Sequence, residues 1–352
     1  TLTLSNLPSG SSVSEVVFDG AKVEFSGLPA AETDGVATVG YTIADDSALG
    51  SFPVTVKLSN PAETFTLASQ KISPDATVFG EDGFTVISTN EGIFQGLYQS
   101  AYSTGQKALF ATAASGTGAN EDGYLYKLDP STLEVLASVH PKEFTAGGET
   151  GKAPYGVGVD DVNGTVWVTN TRTNTVAVYA AAGIALERAA LRPTPVPVPA
   201  PDDPEPLKQS PAGAVPHPRA AIYDPASDRV FVSSASEGTS GNGYISVFDA
   251  KTYEKIQDIQ TGARTDYSPM SLAVDDGTLV SPSLSSNKVV KIDTESLAFE
   301  FIEVEGINVG GRGASGIAYD ATSDRIFVAS QNSDELVVAD ATTGATIKEV
   351  PT

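Results

Sequence analysis

Apolar and polar residues alternate in short segments along most of the chain. Three clear examples are "TVWVTN" at 165–170, "YISVFDA" at 244–250 and "ELVVADA" at 335–341. They are rich in β-branched and aromatic residues, and Gly, Asn, Asp or Ser bound them, which is typical of half-buried β-strands. Few windows show the three- and four-residue apolar spacing of an amphipathic helix. The pattern therefore predicts an all-β protein.

The strand pattern repeats. "YDPASDRVFVSS" at 223–234 returns as "YDATSDRIFVAS" at 319–330, and each phrase opens a run of four predicted strands. Five such runs are visible, and their second strands are centred on Phe110, Trp167, Phe231, Val280 and Phe327. A four-stranded unit repeated every 40 to 50 residues, roughly, is typical of a β-propeller. We expect a propeller of five to seven blades over residues 91–352.

Two insertions explain the longest spacings between these repeats. "RPTPVPVPAPDDPEPLKQSP" at 192–211 alternates prolines, which fix φ and remove backbone donors, so it cannot form a central strand. We expect this segment to be an extended connection between two blades. The second insertion, "HPKEFTAGGETGK" at 140–152, is predicted to be a loop.

The repeats resemble the YVTN family of surface-layer-type propellers. The resemblance is carried by "VWVTN" at Val166–Asn170 and by a Pro that precedes a small-residue strand ending in Asp. It covers about residues 91–352 and implies a propeller fold. It implies little about activity, because the residues that repeat are those that build blades.

Residues 1–69 do not join the repeat. Six or seven short strands separated by turn residues predict an immunoglobulin-like β-sandwich. The segment also resembles modules found beside surface domains in actinobacteria, through Asp34, Gly35, Ala37, Thr38, Val39, Asp45, Asp46, Ala48, Gly50, Val54, Thr55 and Val56. Residues 70–90 are expected to be a linker with a strand or hairpin.

Composition narrows the function classes. With 21 Lys and Arg against 44 Asp and Glu, the net charge of -23 repels nucleic acid and anionic membranes. The chain has no Cys, which excludes disulfides and thiolate metal sites, and no apolar stretch of transmembrane length. The acidic, Ala-, Gly-, Thr- and Val-rich composition resembles that of exported bacterial proteins. We therefore expect a secreted or cell-surface protein whose signal peptide has been removed.

The recurring aspartates allow two interpretations. Asp160, Asp224, Asp275 and Asp320 end the first strands of four repeats, and Asp129, Asp249, Asp293 and Asp340 end third strands. They could form a metal ring, but Asp at the first position of a turn more often caps its own backbone. None lies in a calcium-loop motif. We predict turn caps, and no metal or cofactor.

The chemistry expected of an enzyme is sparse. The two histidines, His140 and His217, show no triad or metal spacing, and no G-x-S-x-G motif occurs. The first hypothesis is a binding or scaffold module, with an immunoglobulin-like stalk carrying a propeller. The alternative is a hydrolase of lactonase type, in which His217 and Arg219 would activate water.

The best candidate site lies where chain segments enter the innermost strands. Loops converge there at one end of a propeller channel, and ligand sites form there. Equivalent and neighbouring positions carry unlike residues: Tyr155, His217, Arg219, Arg264, Met270, Arg312 and Ser315, with Tyr98 or a neighbour in the first repeat. Three arginines in an acidic chain would suit a small anionic ligand or an acidic peptide, and a protein partner is possible. Alternatively, each arginine pairs with a carboxylate on its own loop.

Overall fold

The computed structural model describes most of the chain. The described residues are 2–18, 23–26, 30–31, 35–44, 46–47, 50–72, 94, 96–115, 122–145, 148–151, 154–184, 205–211, 213–235, 241–263, 265–308, 313–331 and 333–351. All of their regular secondary structure is β-strand. The all-β prediction is confirmed.

The first seven strands form two sheets. These strands are β1 (Leu2–Leu4), β2 (Ser12–Phe18), β3 (Val23–Ser26), β4 (Ala30–Ala31), β5 (Ala37–Ile43), β6 (Gly50–Ser59) and β7 (Glu63–Ile72). One sheet has the order β1-β5-β3 and the other β4-β2-β6-β7. Both sheets contribute to one apolar core, in which Val13, Val39 and Val56 are fully buried. The predicted hairpin at 70–90 lies mostly outside the described residues.

The remaining strands build five four-stranded antiparallel sheets, which we call blades 1 to 5. Blade 1 contains β8 (Leu97–Ser103), β9 (Ala108–Ser115), β10 (Asp122–Leu128) and β11 (Val135–Val139), followed by a hairpin of β12 (Lys142–Thr145) and β13 (Gly148–Gly151). Blade 2 contains β14 (Pro154–Asp160), β15 (Thr165–Asn170), β16 (Thr175–Ala180) and β17 (Lys208–Gln209). Blade 3 contains β18 (Pro218–Asp224), β19 (Arg229–Ser234), β20 (Asn242–Asp249) and β21 (Lys255–Ala263). Blade 4 contains β22 (Ala273–Asp275), β23 (Thr278–Pro282), β24 (Lys288–Asp293) and β25 (Phe299–Glu303). Blade 5 contains β26 (Ala314–Asp320), β27 (Arg325–Ser330), β28 (Glu335–Asp340) and β29 (Thr346–Pro351).

Each blade packs face to face on the next, and this packing forms the core. Period-two alternation sends successive side chains of a second strand to opposite faces of its sheet. Thus Trp167 in β15 faces blade 3, whereas Val166 and Val168 face blade 1. The same alternation buries Phe110 against blade 2 and Phe231 against blade 4. The first strands β8, β14, β18, β22 and β26 follow one another as neighbours along this series.

Two insertions differ from expectation. The segment at 140–152, predicted to be a loop, forms the β12–β13 hairpin where it is described. The Pro-rich insertion falls mostly outside the described residues, but β17 at its end pairs with β16 through Ala177 and Gln209. The insertion therefore separates the third and fourth strands of blade 2, and its placement between two blades was wrong. The reason is that β17, a pair of residues between Pro206 and Pro211, supplies the outer edge of the blade.

The turn-cap prediction for the aspartates is confirmed in seven of eight positions. Asp160 accepts hydrogen bonds from the backbone N–H of Val162 at 3.0 Å and of Asn163 at 2.8 Å. Equivalent caps occur at Asp129, Asp224, Asp249, Asp293, Asp320 and Asp340. Asp275 differs, because it accepts from the N–H of Ala321 in blade 5 at 2.9 Å. The turn after Asp275 is a tight link to Thr278, its strand partner, so it offers fewer N–H groups for a local cap.

Candidate functional site

Irregularities in the first strands position the candidate residues. In blade 2 the pairing of β14 with β15 shifts between Pro154 and Val157, which leaves Tyr155 and Gly156 opposite Thr169. Matching shifts place Arg219 in blade 3, Tyr98 in blade 1 and Ser315 in blade 5 at bulges. A β-bulge bends its strand and re-aims a side chain, which is why bulges are common beside binding sites. Four blades therefore have a β-bulge at the same position, and each bulge presents a different side chain at the blade entrance.

Hydroxyl groups fix the backbone of these bulges across blade boundaries. Thr169 in β15 accepts from the N–H of Gly156 at 2.7 Å and donates to the carbonyl of Arg219 in blade 3 at 3.0 Å. Thr112 makes the same link from blade 1 to the carbonyl of Tyr155, and Ser233 from blade 3 to the carbonyl of Met270. Each hydroxyl thus satisfies two buried backbone groups in adjacent blades. Pro282 and Ala329 occupy the equivalent positions in blades 4 and 5, so this link is confined to the first three blades.

Glycine lets blades 2 and 3 approach closely at this point. A Cβ atom on Gly156 would lie 2.2 Å from the carbonyl oxygen of Arg219, which is far inside van der Waals contact. Only the missing side chain allows this approach. Because the two backbones are so close, the side chain of Tyr155, which precedes Gly156, lies near the side chain of Arg219.

Four side chains meet at the mouth of blades 1 to 3, and we call them the entrance cluster: Tyr98, Tyr155, His217 and Arg219. The Tyr98 and Tyr155 rings stack with centroids 4.4 Å apart and planes 18° apart. The guanidinium of Arg219 lies 5.8 Å from the Tyr155 centroid and donates from Nη1 to the Tyr98 hydroxyl at 3.0 Å. Its Nη2 lies 2.7 Å from Nε2 of His217. Stacking, cation–π attraction and hydrogen bonding thus hold the cluster together.

The hydrogen bonds of the cluster determine its charge. Arg219 can only donate, so Nε2 of His217 is the acceptor and the imidazole is neutral with its proton on Nδ1. His217 has a left-handed backbone φ of 49°, and its N–H donates to Oδ1 of Asn174 at 2.6 Å, which fixes the loop. Among the described residues, the guanidinium group of Arg219 forms hydrogen bonds with Tyr98 and His217, and neither side chain is a carboxylate. Within the described part of the chain, the positive charge of Arg219 therefore has no carboxylate partner.

One donor of Arg219 is unsatisfied. Its Nε is buried and has no hydrogen-bond partner within the described part of the chain. Buried polar groups are nearly always hydrogen-bonded, so an unpaired charged donor beside an aromatic platform requires an explanation. An acceptor on a bound ligand would provide one.

The other predicted site residues are placed differently. Met270 and Ser315 are half-buried and enter the described contacts through their backbones: Met270 accepts from Ser233, and the Ser315 carbonyl accepts from the Ser271 N–H at 3.4 Å. Arg264 and Arg312 lie outside the described residues. The three-arginine arrangement thus stays a prediction, of which the structure describes one member.

Most residues of the entrance cluster are predictable from the sequence, but the hydrogen bonds that connect them are not. Tyr98 was placed only to within a neighbour, because the first repeat is the least regular. The predicted site residues did not include the three hydroxyl residues that link adjacent blades, Thr112, Thr169 and Ser233. Their signal was present, since a hydroxyl residue stands two positions after each of the second-strand centres Phe110, Trp167 and Phe231.

The geometry and polarity of the described residues support neither a metal site nor a membrane-spanning helix. Among the described residues, no group of three or more His, Cys, Asp or Glu side chains is arranged to hold a metal ion. No described helix is long and apolar enough to span a membrane.

The fold, the repeat and the comparisons with known proteins define the class: the chain is a β-propeller repeat protein. No family model matches it. It is 24% identical over 269 residues to the uncharacterized protein YncE of Escherichia coli K12, covering 74% of this chain and 66% of that protein. YncE of Salmonella typhimurium is 22% identical over the same length and the same coverage. The chain thus spans just under two thirds of the length of these relatives.

Solved structures agree on the fold. The structure of U3-55K matches 76% of this chain with a TM-score of 0.51 at 7% identity and 67% coverage of its own chain. The RRP9 WD40 repeats match 76% of this chain with a TM-score of 0.51 at 7% identity and 66% coverage. At such identity the likeness concerns the propeller fold alone.

Proposed function

We propose that the chain is a binding protein that holds a small carboxylate-bearing ligand, or a carboxylate of a protein partner, at the mouth of its propeller. The observation that carries this proposal is Arg219, whose charge has no carboxylate partner and whose buried Nε has no acceptor among the described residues. Arginine is the residue best suited to a carboxylate, because its planar fork donates two parallel hydrogen bonds.

The aromatic residues of the entrance cluster indicate a second property of the ligand. Tyr98 is 40% exposed and already stacks on Tyr155, so the pair offers a flat apolar surface beside the charge. Aromatic faces favour planar ligand groups in offset or edge contact. The combination favours a carboxylate attached to a planar or aromatic group. An acidic side chain or chain terminus of a partner protein offers the same charge with less stacking.

Paired probes test this proposal. We expect phenylacetate to bind more tightly than its neutral amide, and more tightly than acetate, in calorimetric titrations of the full chain. Arg219→Gln should weaken phenylacetate binding about 10- to 100-fold, the effect of losing charge-assisted hydrogen bonds. Arg325→Gln changes an exposed arginine at the start of β27 in blade 5; it makes the same charge change away from the cluster and should leave binding unchanged. Equal binding of the acid and its amide would contradict the proposal.

A lactonase-type hydrolase is the second proposal, supported by the adjacency of His217 and Arg219. Nε2 of His217 is engaged by Arg219 at 2.7 Å, so it is not directed at a substrate water in this arrangement. The geometry favours binding over base catalysis for this reason. Hydrolysis of a panel of γ- and δ-lactones, lost in His217→Gln, would support the hydrolase and overturn the purely binding role.

We also propose that the chain belongs to the YVTN-type propellers and that its first seven strands form an immunoglobulin-like stalk. The orders β1-β5-β3 and β2-β6-β7 correspond to strands B-E-D and C-F-G of an immunoglobulin fold, which supports the stalk. We propose a secreted or cell-surface location, which the acidic, Cys-free composition supports. Protease accessibility of the protein on intact host cells, against a cytoplasmic marker, tests this location.

A further inference from the structure

The chain enters blades 3, 4 and 5 through equivalent residues, which are fixed at both backbone groups: His217, Ser268 and Gly313. The carbonyl of each accepts from an N–H just beyond the second strand of its own blade, and the donors are Ala235 at 3.2 Å, Leu284 at 2.9 Å and Gln331 at 3.0 Å. The N–H of each donates to a side-chain oxygen. The acceptors are Asn174 at 2.6 Å, Ser283 at 3.1 Å and Asn308 at 2.8 Å. These bonds hold the entry point of each blade in place.

His217 differs from the other two entry residues in its backbone. Its φ of 49° is left-handed, whereas neither Ser268 nor Gly313 has a positive φ. A left-handed conformation is uncommon for a residue other than glycine, and it persists where the surrounding structure enforces it, often at functional sites. Here the glycine adopts the ordinary conformation and the histidine the unusual one. The conformation therefore indicates that the direction of the His217 side chain matters.

The left-handed backbone accompanies a contact between His217 and Arg219. Nε2 of the imidazole lies 2.7 Å from Nη2 of the guanidinium and accepts its hydrogen bond. A free arginine side chain has many rotamers, and binding a ligand through it costs the entropy of fixing one of them. A histidine that already holds the guanidinium removes part of that cost before the ligand arrives. The contact can therefore preorganise Arg219 for binding.

Asn174 in turn holds His217. It lies in the turn between β15 and β16 of blade 2, so it fixes the entry of blade 3 from the preceding blade. Its carbonyl accepts from the N–H of Val215 at 3.3 Å, and its Oδ1 accepts from the N–H of His217 at 2.6 Å. Val215 is fully buried, which anchors this end of the segment in the core. The two hydrogen bonds bracket residues 215–217 and restrict the φ of His217.

We infer that Asn174 is a positioning residue of the carboxylate site: it holds His217 in the left-handed conformation from which the imidazole orients Arg219. Its effect on binding rests on the proposed function, whereas its effect on Arg219 needs no ligand. The entry residues of blades 4 and 5 are held by the same kind of hydrogen bond, but a serine and a glycine carry no ring that could hold an arginine. Among these three blades, the role is therefore confined to blade 3.

Glycine substitutions separate backbone from side chain, because glycine adopts a left-handed φ without strain. Asn174 has a φ of 57°, so Asn174→Gly removes Oδ1 and keeps the turn, and His217→Gly removes the imidazole in the same way. In calorimetric titrations of the full chain, each variant should bind phenylacetate about 3- to 10-fold more weakly, the cost of immobilising one long side chain. Asp334→Gly is the control, since Asp334 has a φ of 54° in the corresponding turn of blade 5 and should leave the affinity unchanged.

The double variant distinguishes positioning from a general loosening of the fold. If Asn174 acts through His217, Asn174→Gly should have no further effect on phenylacetate affinity in the His217→Gly chain. Independent structural effects would instead add in free energy, and the double variant would bind about 10- to 100-fold more weakly than the parent. Losses that multiply in this way would overturn the inference.

A second measurement depends on no ligand. ¹⁵N relaxation of the Arg219 Nε–H in the ligand-free chain reports the fast motion of the guanidinium. We expect restricted motion in the parent chain and in Asp334→Gly. In Asn174→Gly and His217→Gly the motion should increase toward that of the exposed Arg325. Unchanged Arg219 motion in Asn174→Gly would overturn the inference, whatever phenylacetate does.

The two measurements separate this role from the proposed function. A parent chain that does not bind phenylacetate, with Arg219 loosened in Asn174→Gly, would reject the carboxylate site and support the positioning of Arg219 by Asn174. Phenylacetate binding that is equal in the parent chain and in Asn174→Gly would reject the positioning role and leave the carboxylate site standing. Circular dichroism and urea unfolding of each variant show that folded chains are being compared.

Discussion

The two ends of the blades differ in one respect: equivalent positions carry the same residue at one end and different residues at the other. At the turn end, Asp160, Asp224 and Asp320 each cap the turn that follows the first strand. At the entrance end, the positions five residues earlier hold Tyr155, Arg219 and Ser315. The backbone bulges at the entrance in these three blades, so the same local fold presents different side chains. Residues that repeat therefore build the blade, and residues that vary at a repeated bulge are the ones that we propose as the site.

The largest effect is expected at the entrance end, where the backbones of two blades depend on one side chain. Thr169→Val keeps the shape of Thr169 but leaves the N–H of Gly156 and the carbonyl of Arg219 without their hydroxyl partner. We expect a loss of about 2 to 4 kcal/mol in the free energy of unfolding, since each unsatisfied buried group costs about 1 to 3 kcal/mol. Urea unfolding measures it. Thr66→Val, at an exposed strand residue, is the control and should change stability by less than about 0.5 kcal/mol.

The next effect concerns the entrance alone. Tyr155→Leu removes the stack on Tyr98 and the ring beneath Arg219, so phenylacetate affinity should fall about 5- to 30-fold. Tyr102→Leu, on the same β8 strand as Tyr98 but 52% exposed, should leave the affinity unchanged. If both variants bind phenylacetate like the parent, the tyrosine pair is part of the fold and not of the site.

A variant at the turn end should lower stability and leave phenylacetate affinity unchanged. Asp224→Asn weakens hydrogen bonds that the carboxylate accepts from the N–H of Ser227 at 3.0 Å and its hydroxyl at 2.6 Å. We expect a loss of about 1 kcal/mol in stability with phenylacetate affinity unchanged. A stability loss accompanied by a tenfold loss of affinity would show that the two ends are not separable.

The smallest effects are spread over many turns and are seen with pH. The pKa of Asp129 is lowered by the Ser131 hydroxyl and that of Asp293 by the Ser296 hydroxyl, and the pKa of Asp340 by the Thr343 N–H. Burial raises the pKa of Asp224, but hydrogen bonds from Ser227 and Thr294 outweigh it, so this pKa also lies below its ordinary value. Because folding lowers these pKa values, their stabilisation is complete above the unfolded value of about 3.9 and is lost as the pH falls below it. Thermal unfolding between pH 6 and 2.5 should show a Tm that is steady above pH 5 and falls below pH 4, roughly; a Tm that rises on acidification would contradict this account.

The sequence allowed the repeating end to be predicted and left much of the entrance end open. Alternation and turn chemistry are local, so second-strand centres and seven of eight aspartate caps could be read directly from the residues. The exception, Asp275, depends on a shortened turn whose cap partner Ala321 lies in another blade. The contact of Tyr98 with Arg219 joins residues 121 positions apart and depends on a bulge, which no local pattern specifies. The pairing of β17, near the end of the Pro-rich segment, with β16 is also a contact between distant residues that no local pattern specifies.

The central claim is that Arg219 binds a carboxylate at the propeller mouth, and its own side-chain resonance tests this most directly. Arginine Nε–H signals of the isotope-labelled full chain can be followed by NMR during titration with phenylacetate, with Arg219 assigned from the missing signal in Arg219→Lys. We predict that the Arg219 signal shifts progressively and saturates, while the Arg325 signal stays in place and phenylacetamide causes no comparable shift. An Arg219 signal that does not move at saturating phenylacetate, or that moves equally with the amide, would contradict the account.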